Sequence, residues 1–320
     1  MSAIVSPELP VPTTALRERH HTFPSDFLTG SYPPLVTPFA EGRVDFDAYA
    51  ELIEFQIQSG SHGILVNGTS AEPSTLSIDE RNELVRLAVA TVRGRVPVVA
   101  ASGAQSHADS IALTEAASEA GVDALLIITP YFVRPPQRGL IAYYTDLARH
   151  AHVPWMIYHI PGRAAVTLEL STLERIADAC PGFVGIKHAS NDFALLSAML
   201  ERFGKDFRVF VGLEEFTFPM MMLGAAGTMN AVGTIVPEKV AALCNAVRMG
   251  RTEEARALHF ALHELFQAVF FDTNPIPVKY MTRRLGMLTR NEHRLPMLSA
   301  PPELERRLDA LLVRVGLIEG

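Results

Sequence analysis

Phe183-Val184-Gly185-Ile186-Lys187 is a short apolar run that ends on a charge. An ammonium inside an apolar layer is costly, so the run reads as a strand whose last residue reaches the rim of a sheet. The same unit recurs on either side of it. Residues 32–39, 63–66, 96–101, 124–129, 153–160, 207–211 and 227–232 are further runs, mostly rich in Val, Ile and Leu, and with 183–187 they make eight. They lack strict apolar–polar alternation, which is the pattern of parallel strands covered on both faces.

Helix signals fill the gaps. Ser77-Ile78-Asp79-Glu80 is a capping box, followed by Leu84, Val85, Ala88, Val89 and Val92 on one face. Ser171-Thr172-Leu173-Glu174 has the same form, and Pro181-Gly182 stops its helix. Ser106 caps a helix that ends at Gly121. Eight strand–helix alternations predict an α/β fold, a closed (β/α)8 TIM barrel. An open dinucleotide-binding sheet needs a glycine fingerprint after its first strand, and residues 30–45 carry none. Beyond the eighth run, residues 238–249, 252–270, 277–285 and 302–315 read as helices, punctuated by Pro275, Pro277 and Pro296. The expected division is an N-terminal arm over 1–27, a barrel core over 28–235, and the last barrel helix with a helical appendage over 236–320.

The chain has 320 residues, of which 48% are hydrophobic and 20% charged, with a net charge of −7. It can bury a large core, and it has no basic run of the kind a nucleic-acid surface needs. Cys180 and Cys244 are the two cysteines. They form neither a disulfide framework nor a metal-knuckle spacing, which suits a reducing cytoplasm. His259 and His263 have i, i+4 spacing but lack the glutamate of a zinc-protease helix. No metal and no cofactor is expected. No apolar run reaches the roughly 18 residues of a membrane span. The Pro-rich start, with Glu8, Arg17, Glu18 and Arg19, has no secretory pattern and reads as an arm or a strap onto a neighbouring subunit.

The chemistry is carried by a lysine. There are four, against 24 arginines in a total of 28. Lys205 lies in a turn, Lys239 at a helix start and Lys279 in the segment Asn274-Pro275-Ile276-Pro277-Val278-Lys279; each has an ordinary solvated or packing explanation. Lys187 ends the sixth strand, where barrel enzymes project reactive groups. Desolvation favours the neutral amine, which attacks a carbonyl to form an iminium. The other reading is a lysine that snorkels to the rim. Gly68-Thr69-Ser70 follows the second strand and offers two hydroxyls and two N–H groups to a carboxylate, the work of a polar turn otherwise. Tyr158, near the end of the fifth strand, can relay protons, and Arg163, past Pro161-Gly162, can fork onto a second carboxylate. Glu214-Glu215 ends the seventh strand and can face the cavity, with no ligand cluster around it.

Taken together these residues resemble the dihydrodipicolinate synthase/N-acetylneuraminate lyase family of class I aldolases, over residue 28 to the end. The resemblance rests on Leu28-Thr29-Gly30-Ser31, Val36-Thr37-Pro38-Phe39, Gly68-Thr69-Ser70-Ala71-Glu72, Thr129-Pro130-Tyr131-Phe132, Pro135-Pro136-Gln137, Tyr158 before Ile160-Pro161, Arg163 and Gly185-Ile186-Lys187. It implies that Lys187 is the Schiff-base lysine, that Tyr158 relays protons, and that Thr69 and Ser70 grip the carboxylate of pyruvate or another 2-oxo acid. It also implies a homotetramer built as a dimer of dimers. Asn274 to Lys279, Arg294-Leu295-Pro296-Met297 and Arg163 resemble the synthase branch, in which that arginine receives the carboxylate of aspartate semialdehyde.

Three positions depart from the family's synthases. Phe132 stands where they carry a tyrosine that crosses the dimer interface and completes the relay; a phenyl ring cannot pass a proton. Ala71 stands where glycine is usual. Asn230, with Gly233, differs from the synthase pattern and can read a hydroxyl of a longer substrate. Three functions stay open: a synthase-like lyase, a dehydratase or aldolase for a sugar-acid or aromatic-derived 2-oxo acid, and a barrel that binds a small molecule without catalysis.

Overall fold

The computed structural model describes residue 24 and residues 26–320, so the arm expected over 1–27 lies almost wholly outside the described residues. Eight parallel strands make one sheet: β1 Gly30–Ser31, β2 Ile64–Val66, β3 Val98–Ala101, β4 Ala124–Ile128, β5 Trp155–His159, β6 Phe183–His188, β7 Arg208–Val211 and β8 Gly227–Thr228. Each pairs with the next from β2 to β8, and β8 pairs with β1. The circle closes at a bridge between Pro34 and Leu65, where Leu35 N–H donates to Leu65 O and Leu65 N–H to Pro33 O, both at 3.0 Å. This is the (β/α)8 barrel that the alternation predicts.

The first strand is displaced from its expected place. It occupies Gly30–Ser31 rather than 32–39, because Pro33 and Pro34 have no N–H to give a ladder. Phe39 instead joins an antiparallel ribbon, Phe39–Ala40 with Arg43–Val44. Ser77 forms its capping box with Glu80, and the Ser106 side chain accepts from Asp109 N–H, as the sequence indicates. The Ser171 box does not form. That helix is Leu170–Ala179 with Glu169 at its N-cap. Gln137 Oε1 takes over the capping work, accepting from Glu169 N–H at 3.3 Å and from the Thr172 hydroxyl at 2.6 Å. Past β8 come the short helix Val232–Ile235 and then Pro237–Arg248, Thr252–Ala268, Ile276–Arg284 and Pro302–Arg314. Among the described residues no helix is long and apolar enough to cross a membrane.

Apolar side chains divide into two layers. Leu65, Val99, Leu126, Met156, Val184, Phe210 and Met229 fill the barrel axis. Val66, Ile127, Trp155, Ile157, Ile186 and Val209 point outward under the helices. The pairing of β5 with β6 slips between Trp155–Phe183 and Met156–Gly185, and beyond the slip Tyr158 pairs with Lys187. Gly185 permits the slip: a Cβ there would stand 2.2 Å from Arg208 O. The bulge turns Lys187 to the same inner face as Tyr158.

Candidate active site

Lys187 is 3% exposed, and its Nζ lies 4.3 Å from the centroid of the Tyr158 ring. It makes no hydrogen bond or ion pair among the described residues. Tyr158 OH is 3.2 Å from Thr69 Oγ1. Thr69 opens a 3-10 turn, Thr69–Ala71, set directly after β2, and the first N–H groups of such a turn have no partner inside it. The turn is pinned from both sides. The Thr37 hydroxyl donates to Ala71 O at 2.8 Å, and Ser70 Oγ stands 3.1 Å from Asn274 Nδ2.

Two cavities meet here. The smaller, about 50 Å³, is lined by Lys187, Thr69, Ser70, Tyr158, Arg163 and Glu214 among others. The larger, about 310 Å³, adds Gly68, Arg81, Tyr131 and Met297. Thr69, Tyr158, Arg163 and Asn274 wall both. Arg163 sits exposed on the short helix Pro161–Ala164, and its guanidinium forms no ion pair among the described residues. Lys187, Tyr158, Thr69, Ser70, Arg163 and Gly68 therefore come together around one opening.

Asn230 does not join them. It lines neither cavity, and both ends of its amide are used within the wall. Nδ2 donates to Thr217 Oγ1 at 3.1 Å, and Oδ1 accepts from Gly233 N–H at 3.0 Å. The expectation that it reads a substrate hydroxyl is corrected on that ground. Lys279 is corrected too: it is neither solvated nor simply packed. It is 0% exposed and bonds Glu72 Oε1 at 2.8 Å and Glu292 O at 2.5 Å. His293 Nδ1 lies 3.0 Å from the same Glu72 oxygen. Burial alone would raise the Glu72 carboxyl, but His293 and Lys279 together hold it below the usual carboxylate range.

Two site residues carry little signal in the sequence. Asn274 stands out there only as a marker of the synthase branch. Arg81 has a signal: it stands three and four residues before Leu84 and Val85, a charge on an apolar face. It is buried, gives Nη2 to Ala101 O and Gly103 O, and burial pulls it down to about 10. Phe132, by contrast, is 82% exposed, with φ of 75°, in a loop outside both cavities.

The chemistry this arrangement allows is attack by an amine on a ketone whose carboxylate rests on the Thr69 turn, with a phenol alongside to move protons. The dihydrodipicolinate synthetase family matches residues 27–314. A 4-hydroxy-tetrahydrodipicolinate synthase of Thermus thermophilus is 43% identical over 290 residues, 90% of this chain and 97% of that protein. One of Aquifex aeolicus is 37% identical over 288 residues, 90% and 98% of the two chains. The crystal structure of dihydrodipicolinate synthase from Aquifex aeolicus superposes with a TM-score of 0.88 at 36% identity, over 92% of this chain and 100% of that one. The chloride-inhibited enzyme of Acinetobacter baumannii, solved with pyruvate, gives 0.88 at 32% identity over 91% and 100%. The chain belongs to the dihydrodipicolinate synthetase family.

Proposed function

We propose that this enzyme is a 4-hydroxy-tetrahydrodipicolinate synthase, a Schiff-base lyase that joins pyruvate to aspartate semialdehyde. The observation that carries it is the inward Lys187, without a hydrogen-bonded partner among the described residues, beside the Tyr158–Thr69 hydrogen bond, in a cavity with Arg163 at its mouth. Thr69 and Ser70 hold the carboxylate of pyruvate. Lys187 adds to the ketone, and loss of water gives an iminium. The iminium draws electrons from the methyl carbon, which sheds a proton and becomes an enamine nucleophile. Tyr158, bonded to Thr69, moves protons at the substrate oxygen. The enamine attacks the aldehyde of the second substrate, whose carboxylate pairs with the Arg163 fork.

The reading as a dehydratase or aldolase for a longer acid drew on Phe132 and Asn230. Asn230 is committed to Thr217 and Gly233, so the synthase reading is favoured. A homotetramer in the cytoplasm completes the proposal, supported by two free buried cysteines and by the exposed apolar loop at Phe132 and Val133. The test is borohydride reduction in the presence of pyruvate, followed by peptide mass spectrometry, with turnover measured on pyruvate and aspartate semialdehyde. A three-carbon adduct on Lys187 with turnover is expected. An unmodified Lys187 would remove the proposal.

A further inference from the structure

After β7 the chain passes Gly212 and Leu213 into a 3-10 turn, Glu214–Phe216. Glycine is needed at 212, since a Cβ would stand 2.7 Å from Ala189 Cβ and 3.1 Å from Lys187 Cε. The turn sends neighbouring acids opposite ways. Glu215 is exposed, while Glu214 is 2% exposed and lines the small cavity beside Lys187. Glu214 Oε1 accepts Ala231 N–H at 2.7 Å, and Oε2 has no partner among the described residues. Lys187 on β6 favours its charged form and Glu215 disfavours it. Tyr158 and Arg163 face it across the cavity, and His259, on the helix Thr252–Ala268 packed against the turn, acts on Glu215. A buried carboxyl with one oxygen unsatisfied is costly, and the reaction as derived so far makes no use of it.

We propose that Glu214 is the positioning residue of Lys187, coupled to its charge across the small cavity so that the two carry one proton between them, and that it becomes the counter-ion of the iminium. This rests on the reading of Lys187 as the iminium-forming amine. The pair exists as carboxylate with ammonium or as carboxylic acid with amine, and a dry cavity favours the uncharged form. When the amine adds to the ketone, the nitrogen gives up one of its two protons and the carboxylic acid gives up its own. These two leave with the ketone oxygen as water, and the nitrogen's other proton stays on the iminium. Acid, amine and ketone thus become carboxylate, iminium and water, with atoms and charge balanced. Burial pushes the Glu214 carboxyl up to about 7, so the proton is available in the working range. Below that pH a second proton enters the pair and blocks the amine.

The test is the pH profile of kcat/KM for pyruvate, with borohydride trapping of Lys187 as a second readout, for the intact enzyme and for Glu214→Gln and Glu214→Asp. The intact enzyme should lose trapping as pH falls through about 7. Glutamine cannot accept the proton, so the amine must release it to solvent: the acid limb should move up by about one pH unit or more, and KM for pyruvate should rise about tenfold. Aspartate should restore a limb within about one unit of the original. A merely structural role would lower activity without moving the limb. Independently of any variant, infrared spectra of 13C-glutamate-labelled enzyme above about pH 7, where the pair holds one proton, should lose a protonated-carboxyl C=O band when pyruvate is added. Profiles that superimpose, or a band that persists, would overturn the role of Glu214. Absence of any pyruvate adduct in the intact enzyme would overturn the Lys187 reading and this one with it.

Discussion

Two lysines of this barrel are almost equally buried and have opposite surroundings. Lys279, on the helix Ile276–Arg284, is sealed between Glu72 and Glu292 O, with the Phe39 ring 4.3 Å from its Nζ. Lys187, at the end of β6, has a cavity on one side, a phenol ring on the other and no hydrogen-bonded partner among the described residues. Burial alone therefore does not mark a reactive amine. What distinguishes the two is whether a carboxylate fixes the charge. An ammonium held by a carboxylate is locked as a strut, whereas an amine beside a cavity and an underused carboxyl can change its charge.

Replacing either lysine should separate the two roles. The largest effect is on turnover. Lys187→Ala should lower kcat about a thousandfold or more with pyruvate and aspartate semialdehyde, while chemical denaturation shows little loss of stability. Substantial residual turnover would break the contrast. Glu72→Ala leaves Lys279 buried without its carboxylate and should cost about 3–5 kcal/mol in the same denaturation experiment. The double change Glu72→Leu, Lys279→Met should recover most of that, because an apolar pair has no charge to desolvate. If the double variant is as unstable as the single one, the strut reading is wrong.

A smaller effect comes from the outer face of the same two strands. His159 and His188, paired in register, meet at 3.3 Å between their Nδ1 atoms. His188 Nε2 donates to Asp192 O and His159 Nε2 accepts from Leu168 N–H. The tautomers assigned from these contacts place one proton between the rings, so neither ring can gain another without losing a bond. Burial, then the neighbouring His188, pulls His159 down to about 4. The folded state thus binds this proton less well than the unfolded chain. Stability should be full above about 6.5 and decline by on the order of 3 kcal/mol as pH falls to about 4. Urea midpoints measured across that range check it, and His159→Gln should flatten the slope.

The barrel and the face of Lys187 were legible because they depend on short-range pattern. The apolar runs without alternation gave six strands close to their observed places; the run across Pro33 and Pro34 misled, and the run 227–232 holds a strand only over Gly227–Thr228. Tyr158 and Lys187 were singled out one by one, yet their pairing depends on a bulge at Gly185 that no local signal announces. The partners of the Thr69 turn were less legible still. Asn274 reaches Ser70 and Lys279 reaches Glu72 across more than 200 residues, and single-sequence periodicity carries nothing about such pairs. Ser171 failed as a cap for a related reason: a distant glutamine supplied the acceptor first.

The join between Pro34 and Leu65 has a mechanical meaning. Elsewhere in the cylinder neighbouring strands pair over two to five residues, with one slip between β5 and β6, but here two prolines leave a single bridge as the clasp. Thermal breathing concentrates where the zip is shortest. The Thr69 turn hangs from β2, one side of that clasp, while Lys187 stands on the far arc between β5 and β7. The carboxylate's cradle is thus anchored beside the shortest join of the cylinder and the amine on the opposite arc, so the distance across which the two must cooperate is measured from that clasp.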